Sequence, residues 1–286
     1  MKIRLIAPFA ALVVAQPAWA EDALPWTLSV SGGSTSAQGQ NDQPFASVAL
    51  SREIGAGYLK LSATHTSNSD AQGLIAAIPA KTDQVTLAGG RSFGDLSADA
   101  YLSLGKRSFG AEEFRRRTGQ TVTIDSNGST FGGGLSLSYD IPMGDHASIS
   151  PFVSGDYYKV DIARAVNLPL RGLVSQIESQ DGVTGAAGIN AQLSFGAEDR
   201  HSFGLYLGGV TTSNTTAYNR GGSGELASRI LATFDRPGVK DSWAEYGASA
   251  SFGLSPRVRL DGSVVRTAGF AGGETTSVSA ALRFHF

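Results

Sequence analysis

Three residues in the first third of this 286-residue chain have the types and spacing for nucleophilic chemistry. His65 and Ser67 stand two positions apart in the run His65-Thr66-Ser67-Asn68. Residues i and i+2 of a strand share a face, so the imidazole can sit beside the hydroxyl and take its proton. Alternation from Leu59 and Leu61 puts both on the apolar face, near its outer rim. Asp83 opens the next apolar run, on the same face as Val85 and Leu87. A carboxylate there can hold the imidazole in orientation, as the third member of a triad does. The plainer alternative is a polar strand end entering a loop, in a chain rich in Ser and Thr.

A second set lies on the opposite, polar faces of the alternating segments. It comprises Tyr58, Lys60, Asp99, Tyr101, Asp156, Tyr158, Tyr206, Glu245, Arg259, Asp261 and Arg283, with small residues between them. Such residues either line a narrow water-filled pore or pair into a solid network, for which Arg259, Asp261 and Arg283 are suited. A third group, Glu112, Glu113 and Arg115–Arg116–Arg117, sits in one connection. Arginines there can meet lipopolysaccharide phosphates, but the two acids favour a solvated, self-compensating loop. His146, His201 and His285 share no ligand-like spacing, and the chain has no Cys, so no metal site is expected. No glycine loop precedes a helix in the manner of a phosphate cradle, and no cofactor is expected.

What must position these residues is a set of strands. Twelve segments alternate with period two, near 26–37, 45–54, 57–67, 82–93, 95–107, 129–141, 147–160, 182–195, 201–213, 242–254, 257–268 and 275–286. Leu96, Ala98, Ala100, Leu102 and Leu104, set against Ser97, Asp99, Tyr101 and Ser103, are the clearest case. The polar faces are rich in Ser, Thr, Gly and Asn. Aromatics (Trp26, Phe93, Tyr139, Tyr157, Phe252) fall near the ends of the apolar ones. Short connections at 55–56, 94, 144–145, 197–200 and 255–256 alternate with long ones at 38–44, 68–81, 108–128, 161–181, 214–241 and 269–274. An apolar outer band, aromatic girdles and turns on one side with loops on the other predict an all-β, transmembrane antiparallel β-barrel of about 12 strands. The turns would be periplasmic and the loops extracellular. An even count lets the first and last strands pair and leaves no sheet edge. Loops 161–181 and 214–241 are the candidate partner or plug segments.

The ends of the chain agree. Lys2 and Arg4, an apolar run from Ile6 to Val14 and the site Ala18-Trp19-Ala20 read as a signal peptide over 1–20, leaving the barrel over 21–286. The formal charge of −2 becomes −4 without Lys2 and Arg4, too balanced to suggest a nucleic-acid partner. The last strand, SVSAALRFHF, stops on an aromatic; Phe284 and Phe286 resemble the C-terminal signal that barrel assembly machinery reads. Residues 242–286, a glycine-rich strand, a Ser-Pro turn, a return strand and the closing strand, resemble the end of an autotransporter β-domain. Members of that family carry a passenger and a helical segment threading the lumen. Only Glu21 to Pro25 precede the first strand here, so the resemblance implies a stand-alone relative. It implies a Gram-negative outer-membrane location, with membrane lipid and lipopolysaccharide as surroundings. The expected function is a structural or narrow-pore, porin-like barrel, with catalysis left open. The alternative is an acyl hydrolase, because His65-Thr66-Ser67-Asn68 resembles the catalytic segment of outer-membrane phospholipase A and of the lipid A deacylase. The interval from Ser67 to Asp83 exceeds the one those enzymes use for their third residue.

Overall fold

The computed structural model of the chain describes residues 25–37, 42–68, 80–109, 113–115, 121–123, 126–168, 172–216, 238–271 and 273–286. Twelve long strands form the wall. They are β1 (Trp26–Ala37), β2 (Gln43–Ile54), β3 (Gly57–Asn68), β4 (Ala80–Phe93), β5 (Leu96–Phe109) and β6 (Ser126–Tyr139). They continue with β7 (Ala147–Leu168), β8 (Gly172–Phe195), β9 (His201–Thr212), β10 (Asp241–Ser255), β11 (Val258–Ala268) and β12 (Thr275–His285). Each pairs antiparallel with the next. β12 returns to β1 in register from Thr27↔His285 to Ala37↔Thr275, which closes the ring. Trp26 and Phe286 exchange both backbone hydrogen bonds at 3.1 and 3.0 Å, so the pairing runs to the last residue.

The faces are inverted relative to a water-soluble protein. Leu61 is 54% exposed and Leu135 is 68% exposed, whereas Glu245 is wholly buried. A soluble sandwich would bury the leucines. Here the apolar residues form a continuous outer band and the Ser, Thr, Gly and charged residues point into the lumen, as a membrane barrel requires. Among the described residues no helix is long and apolar enough to cross a membrane.

Some boundaries differ from the expectation. The loop expected at 161–181 is instead a continuation of β7 and β8, paired as far as Leu168↔Gly172. Its charged residues, Asp161, Arg164 and Glu178, read as loop. Asp161 and Glu178 interrupt the apolar pattern there, although Val160, Ile162 and Ala163 beside Asp161 are buried. Within 108–128, Ser108 and Phe109 extend β5, and β6 starts at Ser126. The pieces Glu113–Arg115 and Thr121–Thr123 form a separate two-stranded ribbon. Glu112, Arg116 and Arg117 lie outside the described residues, as do 1–20 and 217–237.

Inside the wall, tyrosines bridge strands. Tyr58 of β3 donates to Asp99 of β5 at 2.7 Å, and Tyr101 of β5 to Asp156 of β7 at 2.8 Å. Each reaches over a glycine on the strand between, Gly90 and Gly134 respectively. A Cβ at 134 would overlap Asp156 Oδ1 and come within 2.6 Å of the Tyr101 ring. On the other side Arg283 of β12 grips Asp261 of β11 through Nε and a terminal nitrogen, both at 2.6 Å. Their side chains are only 4% and 0% exposed. Breaking a buried pair costs more than the pair contributes net, because the remaining charge is stranded. Arg283→Met is therefore expected to lower stability by about 3 kcal/mol. Gly134→Val is expected to lower it by about 1–3 kcal/mol through overpacking. Urea unfolding of the barrel in detergent micelles, followed by the loss of compact electrophoretic mobility, measures both.

Candidate functional site

β3 and β4 place the possible catalytic residues. Both strands present even-numbered residues to the lumen on β4 and on β3 alike (Tyr58, Lys60, Ser62, Thr64; Thr82, Gln84, Thr86). His65, Ser67 and Asp83 therefore share the outer face with Leu61, Val85 and Leu87. The register pairs His65 directly with Asp83. His65 Nδ1 lies 2.7 Å from Asp83 Oδ1, with the side chains 48% and 71% exposed. A carboxylate only accepts, so Nδ1 carries the proton and Nε2 of the neutral ring is the basic nitrogen. Ser67 faces the same way two residues on, opposite Lys81. Among the described hydrogen bonds none joins Ser67 Oγ to His65. The structure thus brings together the base and its orienting acid, and leaves the nucleophile on the same face with no described hydrogen bond to the base. The side chain of Asn68 lies outside the described residues.

These residues stand at a chemical boundary. Following the pairing sideways gives His65, Asp83, Lys106 and Ser129 in one row. Asp161 then accepts from Ser129 N and Oγ, both at 2.8 Å. One outward position lower, the row reads Ala63, Val85, Leu104 and Phe131. The polarity changes in a single step, which marks the outer edge of the apolar band. A polar contact this exposed contributes little, about 0–1 kcal/mol even as an ion pair, so stability alone gives weak reason for the His65–Asp83 contact.

The lumen holds the second set. Tyr101, Asp156, Tyr158, Glu245, Asp261 and Arg283 are buried; Tyr58, Lys60, Asp99, Tyr206 and Arg259 are half-buried. Glu245 accepts from Tyr206 Oη at 2.9 Å and from Trp243 Nε1 at 3.1 Å. Arg259 donates to the Arg200 carbonyl at 3.0 Å. Towards the loop end the interior turns apolar. Trp243, Val265, Val210, Ala186 and Ala37 pack with Phe270, and Phe152 and Tyr206 lie against them. The Phe270 and Trp243 ring centroids are 4.6 Å apart. Phe270 comes from the β11–β12 connection, which Ala271 N anchors to Asp241 Oδ2 at 2.7 Å. Sequence reasoning missed this inward turn. Its only signal was one large aromatic among Gly269, Ala271, Gly272 and Gly273. Phe284 and Phe286, expected to be an assembly signal, point outward at the turn end of β12, with Phe286 exposed.

The autotransporter β-domain family model matches residues 54–265. Solved structures similar to this chain include the translocator domain of the autotransporter NalP from Neisseria meningitidis. It is 13% identical, with 93% of this chain and 90% of that one covered and a TM-score of 0.61. The β domain of the Bordetella autotransporter Brka is 14% identical over 92% of this chain and 99% of its own, with a TM-score of 0.60. LpxR from Salmonella typhimurium is 13% identical over 91% and 100%, with a TM-score of 0.52. At these identities the likeness speaks for the fold alone. A search of curated proteins gave no match.

The hydrogen-bond geometry makes one spectroscopic prediction. In nitrogen-15 spectra of histidine-labelled protein, neutral His65 is expected as the Nδ1–H tautomer. Asp83→Ala is expected to return it to the Nε2–H form. An Nε2–H tautomer in the unsubstituted protein would contradict the assignment.

Proposed function

Because this chain belongs to the autotransporter β-domain family, we propose that it serves as a structural barrel of a Gram-negative outer membrane, its lumen closed at the loop end. The observation that carries this reading is Phe270 folded inward onto Trp243, within an apolar cluster drawn from β1 and β8 to β11. A conducting lumen keeps its lining wet and polar. Here both rings are about 5% exposed, and Thr215 and Thr216, just after β9, are buried as well. Twelve strands also enclose less space than the 16–18 of the large porins. The turn end reads as periplasmic, and Phe284 and Phe286 as the segment that assembly machinery takes up. Lipopolysaccharide is the expected outer surrounding.

In planar bilayers the wild-type protein is expected to be electrically silent. Phe270→Ala, which empties the centre of the cluster, is expected to give intermittent openings. Steady ion-selective channels from the wild type would overturn the closed-lumen reading. Deleting Phe286 is expected to leave export intact and to reduce the membrane-assembled fraction severely, as read by cell fractionation.

A second reading is favoured by one contact, the 2.7 Å bond from His65 to Asp83 on the outer face. In it Ser67 Oγ attacks the carbonyl of an acyl ester and His65 Nε2 takes the hydroxyl proton. Asp83 holds the ring and stabilises the imidazolium. The alcohol then leaves with that proton, and water releases the acyl group from Ser67. Catalytic hydrogen bonds such as Ser67 to His65 commonly tighten only in the substrate complex. Release of fatty acid from phospholipid or lipid A in mixed micelles, abolished by Ser67→Ala, would establish this reading. Equal release by wild type and variant would remove it.

A further inference from the structure

The outer wall beside His65 is not smooth. Val30 of β1, Ala46 and Val48 of β2, Ala63 of β3 and Val85 of β4 line an open groove of about 470 Å³, with His65 and Asp83 at its upper end. Register explains its shape. Val48 pairs with Ala63, and Ala63 with Val85, so a methyl group sits between two taller side chains. Ala46 pairs with His65 and extends the low floor to the polar row. One step below the floor, Leu50, Leu61 and Leu87 stand 40%, 54% and 49% exposed and end it. The result is an apolar furrow that opens upward at the boundary where polarity changes.

What lies in it follows from where it is. It faces hydrocarbon, so its occupant is a lipid chain, and its open end is the loop end, in the outer leaflet. Beside that end the exposed Lys106 pairs sideways with Asp83, and the exposed Lys81 stands one outward position above Asp83 on the same strand. Two ammonium groups around one carboxylate leave a net positive charge at headgroup height. Ammonium groups there attract lipid phosphate as point charges. The outer-leaflet lipid that joins acyl chains to sugar phosphates is the lipid A portion of lipopolysaccharide.

We propose that this groove is a specific binding site for lipid A. One acyl chain lies over Ala46 and Ala63, and a phosphate rests between Lys81 and Lys106. This assignment rests on the outer-membrane placement of the barrel, but neither on a closed lumen nor on hydrolysis. A wall side chain two or more methylenes larger would exclude enough buried chain to weaken binding about tenfold, at roughly 0.8 kcal/mol for each buried methylene.

The test is native mass spectrometry of the detergent-purified protein titrated with lipid A, with dephosphorylated lipid A and with phosphatidylethanolamine. The wild type is expected to keep one lipid A per barrel, in preference to the other two lipids. Ala63→Trp, which fills the groove from an outward position, is expected to bind about tenfold more weakly. The pair Lys81→Gln and Lys106→Gln is expected to erase the preference for the phosphorylated form. Heat-modifiable gel mobility checks that each variant is still a barrel, so a failed fold is told apart from a failed site. Equal binding of lipid A by wild type and Ala63→Trp would overturn the proposal. So would phosphatidylethanolamine bound as well as lipid A, which would mean ordinary annular contact.

Discussion

A strand placed in hydrocarbon must have every backbone N–H and C=O answered by another strand, since each orphan costs several kcal/mol. That requirement makes the β1–β12 pairing the contact on which the molecule depends. Eleven registered pairs join the two strands, and the Trp26–Phe286 exchange carries the ladder to the end of the chain. Without that seam, β1 and β12 would each present an open edge to lipid. With it, the even strand count, the common turn end for both termini and the alternation of faces all follow.

Closure then decides what the interior can be. The inward faces have no second sheet to pack against, so polar side chains answer one another across the wall. Tyrosines span a glycine to an acid two strands away, and Arg283 holds Asp261. Such pairs are weak alone in water, but in a wall that excludes it they must be complete, because a stranded charge is expensive. Near the loop end an apolar cluster replaces them. The lumen therefore changes character along its length, from a polar network to a packed apolar region.

Much of this was legible in the residues. Period-two alternation located all twelve strands, because a membrane wall puts unlike media on its two faces and the chemistry must alternate. The signal weakened wherever charged residues broke the alternation. In the outer parts of β7 and β8, Asp161 and Glu178 do so, and the pattern reads as loop although Leu168 still pairs with Gly172. Long-range placement was harder. That His65 and Ser67 share a face follows from i and i+2, but that Asp83 meets His65 depends on the register across 69–79, which no local pattern sets. Phe270 and the groove over Ala63 were invisible for a related reason: each is defined by neighbours on other strands. A lone Phe in a glycine-rich connection, or an alanine in an apolar face, announces neither.

The outer surface that results is uneven in a way a uniform lipid contact would not require. A hydrogen-bonded His–Asp pair, two lysines and a shallow furrow meet at one height on β1 to β5. All of them keep that arrangement only if the ring is closed in the register described. The absence of cysteine makes a direct measurement clean. Ser34 and Val278 are partners across the seam, both facing outward, and antiparallel partners lie within the Cα separation a disulfide accepts. In the double variant Ser34→Cys with Val278→Cys, oxidation in membranes should give an intramolecular disulfide and a monomeric band of altered mobility. Ser34→Cys with Leu282→Cys, offset along β12, should not cross-link. Equal cross-linking of both variants, or disulfides only between molecules, would contradict the closed register.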